Sequence, residues 1–327
     1  MSAEPQAASV SGPTFLDWPH IKLEDITPGM VVIAGAPCGW TGSGPGPEFG
    51  PDAIRRASQG DSWRWREPPE GEVVDVLDGT VMRLKDGPAF GDLGDIAIYN
   101  PQLERTRQSI ADTTFEIVRR GGLPVCLGGD HYVSFPMIEG VARARGGKLG
   151  YIQVDAHLDL QDDNPNHGRH WHGSNARRVS ELAEFDPRNM AWIGLLDVAW
   201  PEEWSFYKQT GCTFITMRDI RTTGLAEQVE RALAVAGNGT DAIYLTLDID
   251  VVLRAYSPGT GYTNFGGLTA AEFLEVMQVL SRYPQIAGID IVEVNPLLDM
   301  NNTTAKLAAT ALSRLLEPRI FAPRRPA

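Results

Sequence analysis

Apolar residues in this chain fall into two patterns. Short, nearly continuous apolar runs recur at 30–35 (MVVIAG), 72–77, 123–128, 149–154, 191–196, 212–216, 242–250 and 286–294. A strand with one face in water alternates apolar and polar residues, whereas a strand covered on both faces reads as an unbroken run. These eight segments are therefore predicted as strands of a mostly parallel sheet. Helical periodicity fills several gaps between them. Leu103, Thr106, Ile110, Thr114 and Ile117 share one face of a helix predicted over 102–120, which Gly121 and Gly122 end. Thr269 and Glu272 form the capping box of a helix predicted over 269–282, with Phe273, Leu274, Met277 and Leu280 as its apolar stripe. Strand and helix in alternation predict a three-layer α/β fold with right-handed crossovers. No proline-rich linker and no internal repeat divides the chain. One domain is expected over 21–318, with a flexible N-terminal extension (1–20) and a flexible C-terminal tail (319–327).

Composition narrows the function. The formal net charge of -13 argues against a nucleic-acid binder, which carries a basic face. Cys38, Cys126 and Cys212 are scattered and form no C-x-x-C pair, so a disulfide framework is not expected. The opening MSAEPQAASVSGP has no apolar core of a secretory signal, and no apolar run is long enough to span a bilayer. A cytoplasmic protein with no membrane partner is the expectation.

The chemistry sits where the strands end. Run 123–128 leads into Gly128-Gly129-Asp130-His131. Run 149–154 leads into Asp155-Ala156-His157-Leu158-Asp159. Run 242–250 closes on Asp248-Ile249-Asp250, and 286–294 leads through Glu293 to Asn295-Pro296. In an extended segment, residues i, i+2 and i+4 share a face, so Asp155, His157 and Asp159 point together, as do Asp248 and Asp250. Ligands of open α/β sheets bind beyond the carboxyl ends of the strands. Four carboxylates gathered there would repel one another and could not all stay ionised. Two divalent cations cancel their four charges. A mixed carboxylate and imidazole set suits Mn²⁺ best, with Ni²⁺, Co²⁺, Fe²⁺ or Zn²⁺ as alternatives. Each motif alone is commonly a cap or a turn; all three together, each after an apolar strand, point to a metal centre.

Those three motifs resemble the metal-binding signatures of the ureohydrolase (arginase/agmatinase) family. GAPCGW at 35–40, EFGPDAIR at 48–55, GDLGD at 91–95, SPGTG at 257–261 and EVNP at 293–296 extend the resemblance from about residue 30 to about 310. It implies a three-layer arginase-like domain around an eight-stranded sheet, assembled as a homotrimer or homohexamer. It implies His131, Asp155, His157, Asp159, Asp248 and Asp250 as metal ligands, with Asp155 and Asp248 shared by both ions. His131 and Asp159 would complete one site, and His157 and Asp250 the other. It also implies hydrolysis of a guanidino group to urea. Bulk water is too weak a nucleophile for that carbon, and two metal ions make it competent near neutral pH. His172, in Trp171-His172-Gly173-Ser174, is then the proton shuttle, and Glu293 the partner of the guanidinium. Ser174, Asn175 and Tyr262 are further substrate-contact candidates.

The chain also departs from the family pattern. Val251-Val252-Leu253-Arg254 stands where a D-P pair is usual, Tyr262-Thr263 where T-P is usual, and a Gly/Pro-rich stretch at 42–47 replaces a usual arginine. These changes bear on the substrate. Asp162 and Asp163 would suit a distal amine, as in agmatine. Arg169, Arg177 or Arg178 would suit a carboxylate, as in guanidinobutyrate or guanidinopropionate. Trp171 and Tyr262 could close the site down to guanidine. The resemblance is nearer to agmatinases and guanidino-acid hydrolases than to arginase. The competing expectations are a metal-dependent deacylase of related fold and a non-catalytic paralogue.

Overall fold

The computed structural model describes residues 12–323, apart from 43, 67, 77–78, 86–89 and 197. Its strands are β1 (Val31–Ala36), β2 (Glu72–Val74), β3 (Val81–Leu84), β4 (Phe90–Asp95), β5 (Leu123–Gly128), β6 (Leu149–Val154), β7 (Phe185–Leu195), β8 (Thr213–Thr216), β9 (Ala242–Asp248), β10 (Ile286–Val292) and β11 (Phe321–Pro323). Eight of them form one sheet in the order β4-β1-β5-β10-β9-β6-β7-β8, and every neighbouring pair runs parallel. The three-layer α/β expectation is met.

Period two explains why the apolar runs are unbroken. Val31, Ile33, Ile152, Ile193, Leu245 and Ile289 face one core, while their neighbours Val32, Ala34, Tyr151, Trp192 and Tyr244 face the other. Each face is covered by helices, so every position along a central strand is buried. Full burial of an aliphatic side chain contributes about 1.5–3 kcal/mol. The helices at Leu103–Arg119 and Ala270–Ser281 lie within a residue of their predicted limits. At the second, Thr269 Oγ1 accepts from the Glu272 amide (3.2 Å) and Glu272 Oε2 accepts from the Thr269 amide (2.7 Å).

Three expectations need correction. The run at 72–77 is not a strand of the main sheet. Only Glu72–Val74 is extended, and it pairs with β3 in a small antiparallel sheet that β11 completes; Leu77 lies outside the described residues. The eighth place in the main sheet belongs to β4. Its polar composition hid it, because Asp92 is fully buried on an ion pair with Arg55, whose guanidinium also reaches Asp95 (2.5 Å). Part of each terminal stretch packs on the domain. Phe15, Leu16 and Trp18 are buried, the Phe15 amide donates to Asp92 Oδ2 (2.9 Å), and Trp18 stacks on Phe90 (4.6 Å). The last helix runs to Ile320, and β11 follows it, so 319–323 belongs to the domain. Apolar side chains at each end find core to cover. Residues 1–11 and 324–327 lie outside the described residues.

Strands β5, β10, β9 and β6 are consecutive in the sheet. Their carboxyl ends carry the motifs at 128–131, 293–296, 248–250 and 155–159. The topology alone brings these four motifs side by side.

Candidate metal centre

Each motif is held by its own backbone. Asp155 Oδ1 accepts from the His157 amide (2.7 Å) and Asp248 Oδ1 from the Asp250 amide (2.8 Å). These local turns are the kind aspartate favours. His131 opens a 3₁₀ turn, and its amide donates to Glu293 Oε1 (2.8 Å), tying the end of β5 to the end of β10. Asp159 (φ 52°) and Glu293 (φ 63°) both sit in the left-handed region. Non-glycine residues hold that conformation at a cost of roughly 1–3 kcal/mol, and such strain collects at functional sites. Gly129 permits the tight approach: a Cβ there would stand 1.9 Å from the Cys38 carbonyl oxygen.

Two ligand sets result. His131 Nδ1 lies 3.2 Å from Asp155 Oδ2, 2.8 Å from Asp159 Oδ2 and 3.1 Å from Asp248 Oδ2, with hydrogen-bond geometry to none of them. His157 Nδ1 lies 3.0 Å from Asp250 Oδ2 and 3.5 Å from Asp155 Oδ1. Asp155 therefore offers one oxygen to each set, and the groups His131–Asp155–Asp248 and Asp155–His157–Asp250 each gather their ligand atoms within 4.8 Å. Asp248 falls in the first group, and its Oδ1 accepts from the Asp250 amide much as Asp155 Oδ1 accepts from the His157 amide.

The electrostatics fit a pair of cations. Asp155, Asp159, Asp248 and Asp250 are all buried. Burial, and then the charges of Asp250 and Asp155, push the Asp248 carboxyl well above the usual range. Burial also lifts Asp250 to about 6 and raises Asp159. Asp155 goes the other way, because contacts with His131 and His157 outweigh its burial. The Asp250 charge raises His157, and the surrounding carboxylates raise His131 against its burial. On its own the cluster manages its charge only by retaining protons. Divalent ions remove that need, and an imidazole nitrogen ringed by carboxylate oxygens without hydrogen-bond geometry is placed as a metal ligand is.

Behind these groups stands a buried polar layer that sequence reasoning missed. His131 Nε2 meets Thr246 Oγ1 (2.9 Å), and Thr246 donates to Asp290 Oδ1 (2.6 Å). Ser134 Oγ (2.9 Å) and the Tyr244 hydroxyl (2.8 Å) also donate to Asp290. Gln153 Nε2 donates to Asp155 Oδ2 (2.5 Å), and Tyr151 donates to Gln153 Oε1 (2.6 Å). With Thr246 Oγ1 accepting from Nε2–H, Nδ1 of His131 is the nitrogen left to bind metal. Removing such a partner typically weakens metal binding 10–100-fold. Thr246→Val is therefore expected to weaken metal binding by about that factor in calorimetric titration, with Thr246→Ser recovering most of it. Equal affinities for Thr246→Val and the parent protein would refute the role.

The centre forms the floor of a cleft of about 630 Å³. His157, Asp159, Asp248, Asp250, Glu293 and His172 all line it. Nδ1 of His172 is 3.7 Å from Glu293 Oε1, and its buried Nε2 has no hydrogen-bond partner among the described residues. Burial, reinforced by the charges of His131 and His157, pulls its pKa down to about 3. His172 thus rests as neutral imidazole. Gly42 lies directly beside it, since a Cβ there would fall 2.4 Å from the ring. Tyr262, half exposed, stacks on His172 (5.6 Å) and meets His157 edge-on (5.8 Å).

Other candidates are placed differently. Ser174 Oγ donates to the Arg169 (2.8 Å) and Trp171 (3.0 Å) carbonyls, and Asn175 Nδ2 donates to Asp159 Oδ2 (2.8 Å). Neither lines the cleft: Ser174 holds the loop and Asn175 orients a ligand from behind. Asp162 is held by Arg169 (2.6 Å) and Arg178 (2.6 Å), with Arg177 at 3.6 Å, and Glu181 engages the same three arginines. The acid suited to an amine and the arginines suited to a carboxylate are therefore spent on one another. His167 stacks on Trp171 and His170 on Phe135.

Part of the cleft wall was not foreseen. It includes Glu203, whose Oε1 accepts from the Leu160 amide (3.2 Å) and Oε2 from the Trp200 amide (2.8 Å). Burial raises its pKa from 4.5 to about 7. The folded chain thus holds an extra proton between those values, and stability falls as pH rises through that window. Glu203→Gln is expected to remove this slope, on the order of 2–3 kcal/mol between pH 5 and 8 in urea unfolding. Identical pH dependence in the two proteins would show that Glu203 does not titrate there.

The arginase family model matches residues 30–317. The chain belongs to the arginase family. It is accordingly a hydrolase acting on amidine C–N bonds, in a family built on a binuclear metal centre. It is 29% identical to formimidoylglutamase of Bacillus subtilis over 275 residues, covering 83% of this chain and 81% of that one. It is 32% identical to guanidinopropionase of Pseudomonas aeruginosa over 231 residues (69% and 70%), and 30% identical to agmatinase of Bacillus subtilis over 288 residues (87% and 90%). The crystal structure of the Bacillus subtilis formimidoylglutamase superposes with a TM-score of 0.80 at 24% identity, covering 97% of this chain and 95% of that one.

Proposed function

We propose that this arginase-family chain is a ureohydrolase that cleaves a guanidino compound to urea and an amine. The observation that carries the proposal is the pair of ligand sets joined through Asp155 at the floor of a cleft, with His172 and Glu293 on its wall. His131, Asp155, Asp159 and Asp248 would hold one divalent ion, and Asp155, His157 and Asp250 the other. The donor set favours Mn²⁺, with Ni²⁺ second. When bound, the ions make water nucleophilic at neutral pH and offset charge developing at the guanidino carbon.

The balanced reaction is R–NH–C(NH2)2⁺ + H2O → R–NH3⁺ + urea. Glu293 lies beside the centre, so its carboxylate would pair with the guanidinium and hold the carbon over the floor. His172, neutral at rest, takes the proton that water gives up and passes it to the leaving nitrogen. A base and acid of this kind contributes roughly 10²–10⁴-fold.

The cleft lining bears on the substrate. Among the described residues it contains no lysine or arginine. A carboxylate tail, as in guanidinobutyrate, guanidinopropionate or a glutamate-derived formimidoyl compound, would be desolvated there with no counter-charge. This disfavours guanidino acids as substrates. Assembly as a homotrimer or homohexamer, and a cytoplasmic setting, are part of the same proposal. A urea-release screen of the Mn²⁺- and Ni²⁺-loaded protein tests it. Urea from at least one of agmatine, arginine, guanidinobutyrate, guanidinopropionate and guanidine supports it. Release of acetate from acetylated amines instead of urea would point to deacylation, and failure of every compound with both metals to a non-catalytic member.

A further inference from the structure

The cleft is larger than its reacting group requires, and its outer wall is apolar. Val198, Trp200, Trp204 and Tyr262 line it while remaining 47–89% exposed, and Leu196 and Phe214 back them. Exposed aromatic surface continuous with a polar floor marks a binding surface more often than chance exposure. Among the described residues, charge on that wall is already committed. Both Glu203 oxygens accept backbone amides, and burial keeps the group largely protonated up to about pH 7. The cation beside Trp204 is the chain's own Lys208, 5.7 Å from the ring. The arginines of the 161–178 loop face Asp162 and Glu181.

We propose that this wall seats an uncharged apolar tail, so that the substrate class is N-alkyl or N-arylalkyl guanidines and not guanidines ending in an amine or an acid. The proposal rests on the ureohydrolase reading of the floor. Among the described residues, an ammonium tail gains only indole faces, without an available carboxylate, and a carboxylate tail gains nothing. An alkyl or aryl tail removes its own surface and that of the indoles from water.

Three guanidines of equal length separate these cases: pentylguanidine, agmatine and 5-guanidinopentanoate. With the metal-loaded protein, kcat/KM for urea release is expected to be at least about 10-fold higher for pentylguanidine than for agmatine, and lowest for the acid. One added methylene in an apolar pocket is already worth about 10-fold or more. Pentylguanidine is also expected to change tryptophan fluorescence on titration, and Trp200→Ala with Trp204→Ala to bring the pentylguanidine-to-agmatine ratio toward one. Trp204→Phe, which keeps an aromatic face, should retain most of the preference. Agmatine or the acid as the best of the three would overturn the apolar-tail proposal while leaving the ureohydrolase reading intact. No urea from any guanidine would sink that reading, and the tail proposal with it.

Discussion

Asp155→Ala is expected to lower urea release by roughly four orders of magnitude and to reduce bound metal from two ions per chain to at most one. Asp155 gives Oδ2 to the His131 set and Oδ1 to the His157 set, and among the described residues it is the side chain common to both groups. Removing it opens both sites at once. Four decades correspond to about 5–6 kcal/mol of transition-state stabilisation, the scale expected when Lewis-acid assistance is lost. The variant should still fold. Asp155 sits among like charges, and without it Asp159, Asp248 and Asp250 repel one another less. Circular dichroism and elemental analysis of the same sample separate the outcomes: native spectra with lost metal are expected, and retention of two ions with full activity would refute the shared role.

The second large effect is at His172. His172→Ala is expected to lower kcat by about 10²–10⁴-fold while both ions stay bound, because His172 belongs to neither ligand group. His172 lines the cleft and burial keeps its ring neutral, so its task is to accept a proton before giving one. Added imidazole should restore part of the rate in the alanine variant and none in a His172→Phe variant, where the ring fills the space. Loss of metal in His172→Ala would make the residue structural, and undiminished kcat would remove it from the mechanism.

How much of this the sequence showed depended on how local the determinants were. Unbroken apolar runs marked seven of the eight main-sheet strands, because burial on both faces leaves no polar positions. β4 was lost because its buried Asp92 is made tolerable by Arg55, 37 residues away in sequence. The metal-ligand motifs were legible for the opposite reason: four carboxylates and one imidazole at two-residue spacings have no ordinary place after an apolar strand. A weaker signal was available for the layer behind them. Gln153 and Thr246 precede Asp155 and Asp248 by two residues, on the same face of otherwise apolar strands, and Asp290 lies within a third. Period two alone marks Gln153 and Thr246 as neighbours of the ligands. The pairing of Asp162 with three arginines and the aromatic wall at 198–204 could not be read this way, since both depend on how loops fold back.

The most direct test of the central claim is a crystal structure of the Mn²⁺-soaked protein with anomalous data at the manganese edge. Two anomalous peaks per chain are predicted, one beside His131 and one beside His157, each contacted by a different oxygen of Asp155. A single peak, or peaks that Asp155 does not touch, would contradict the account.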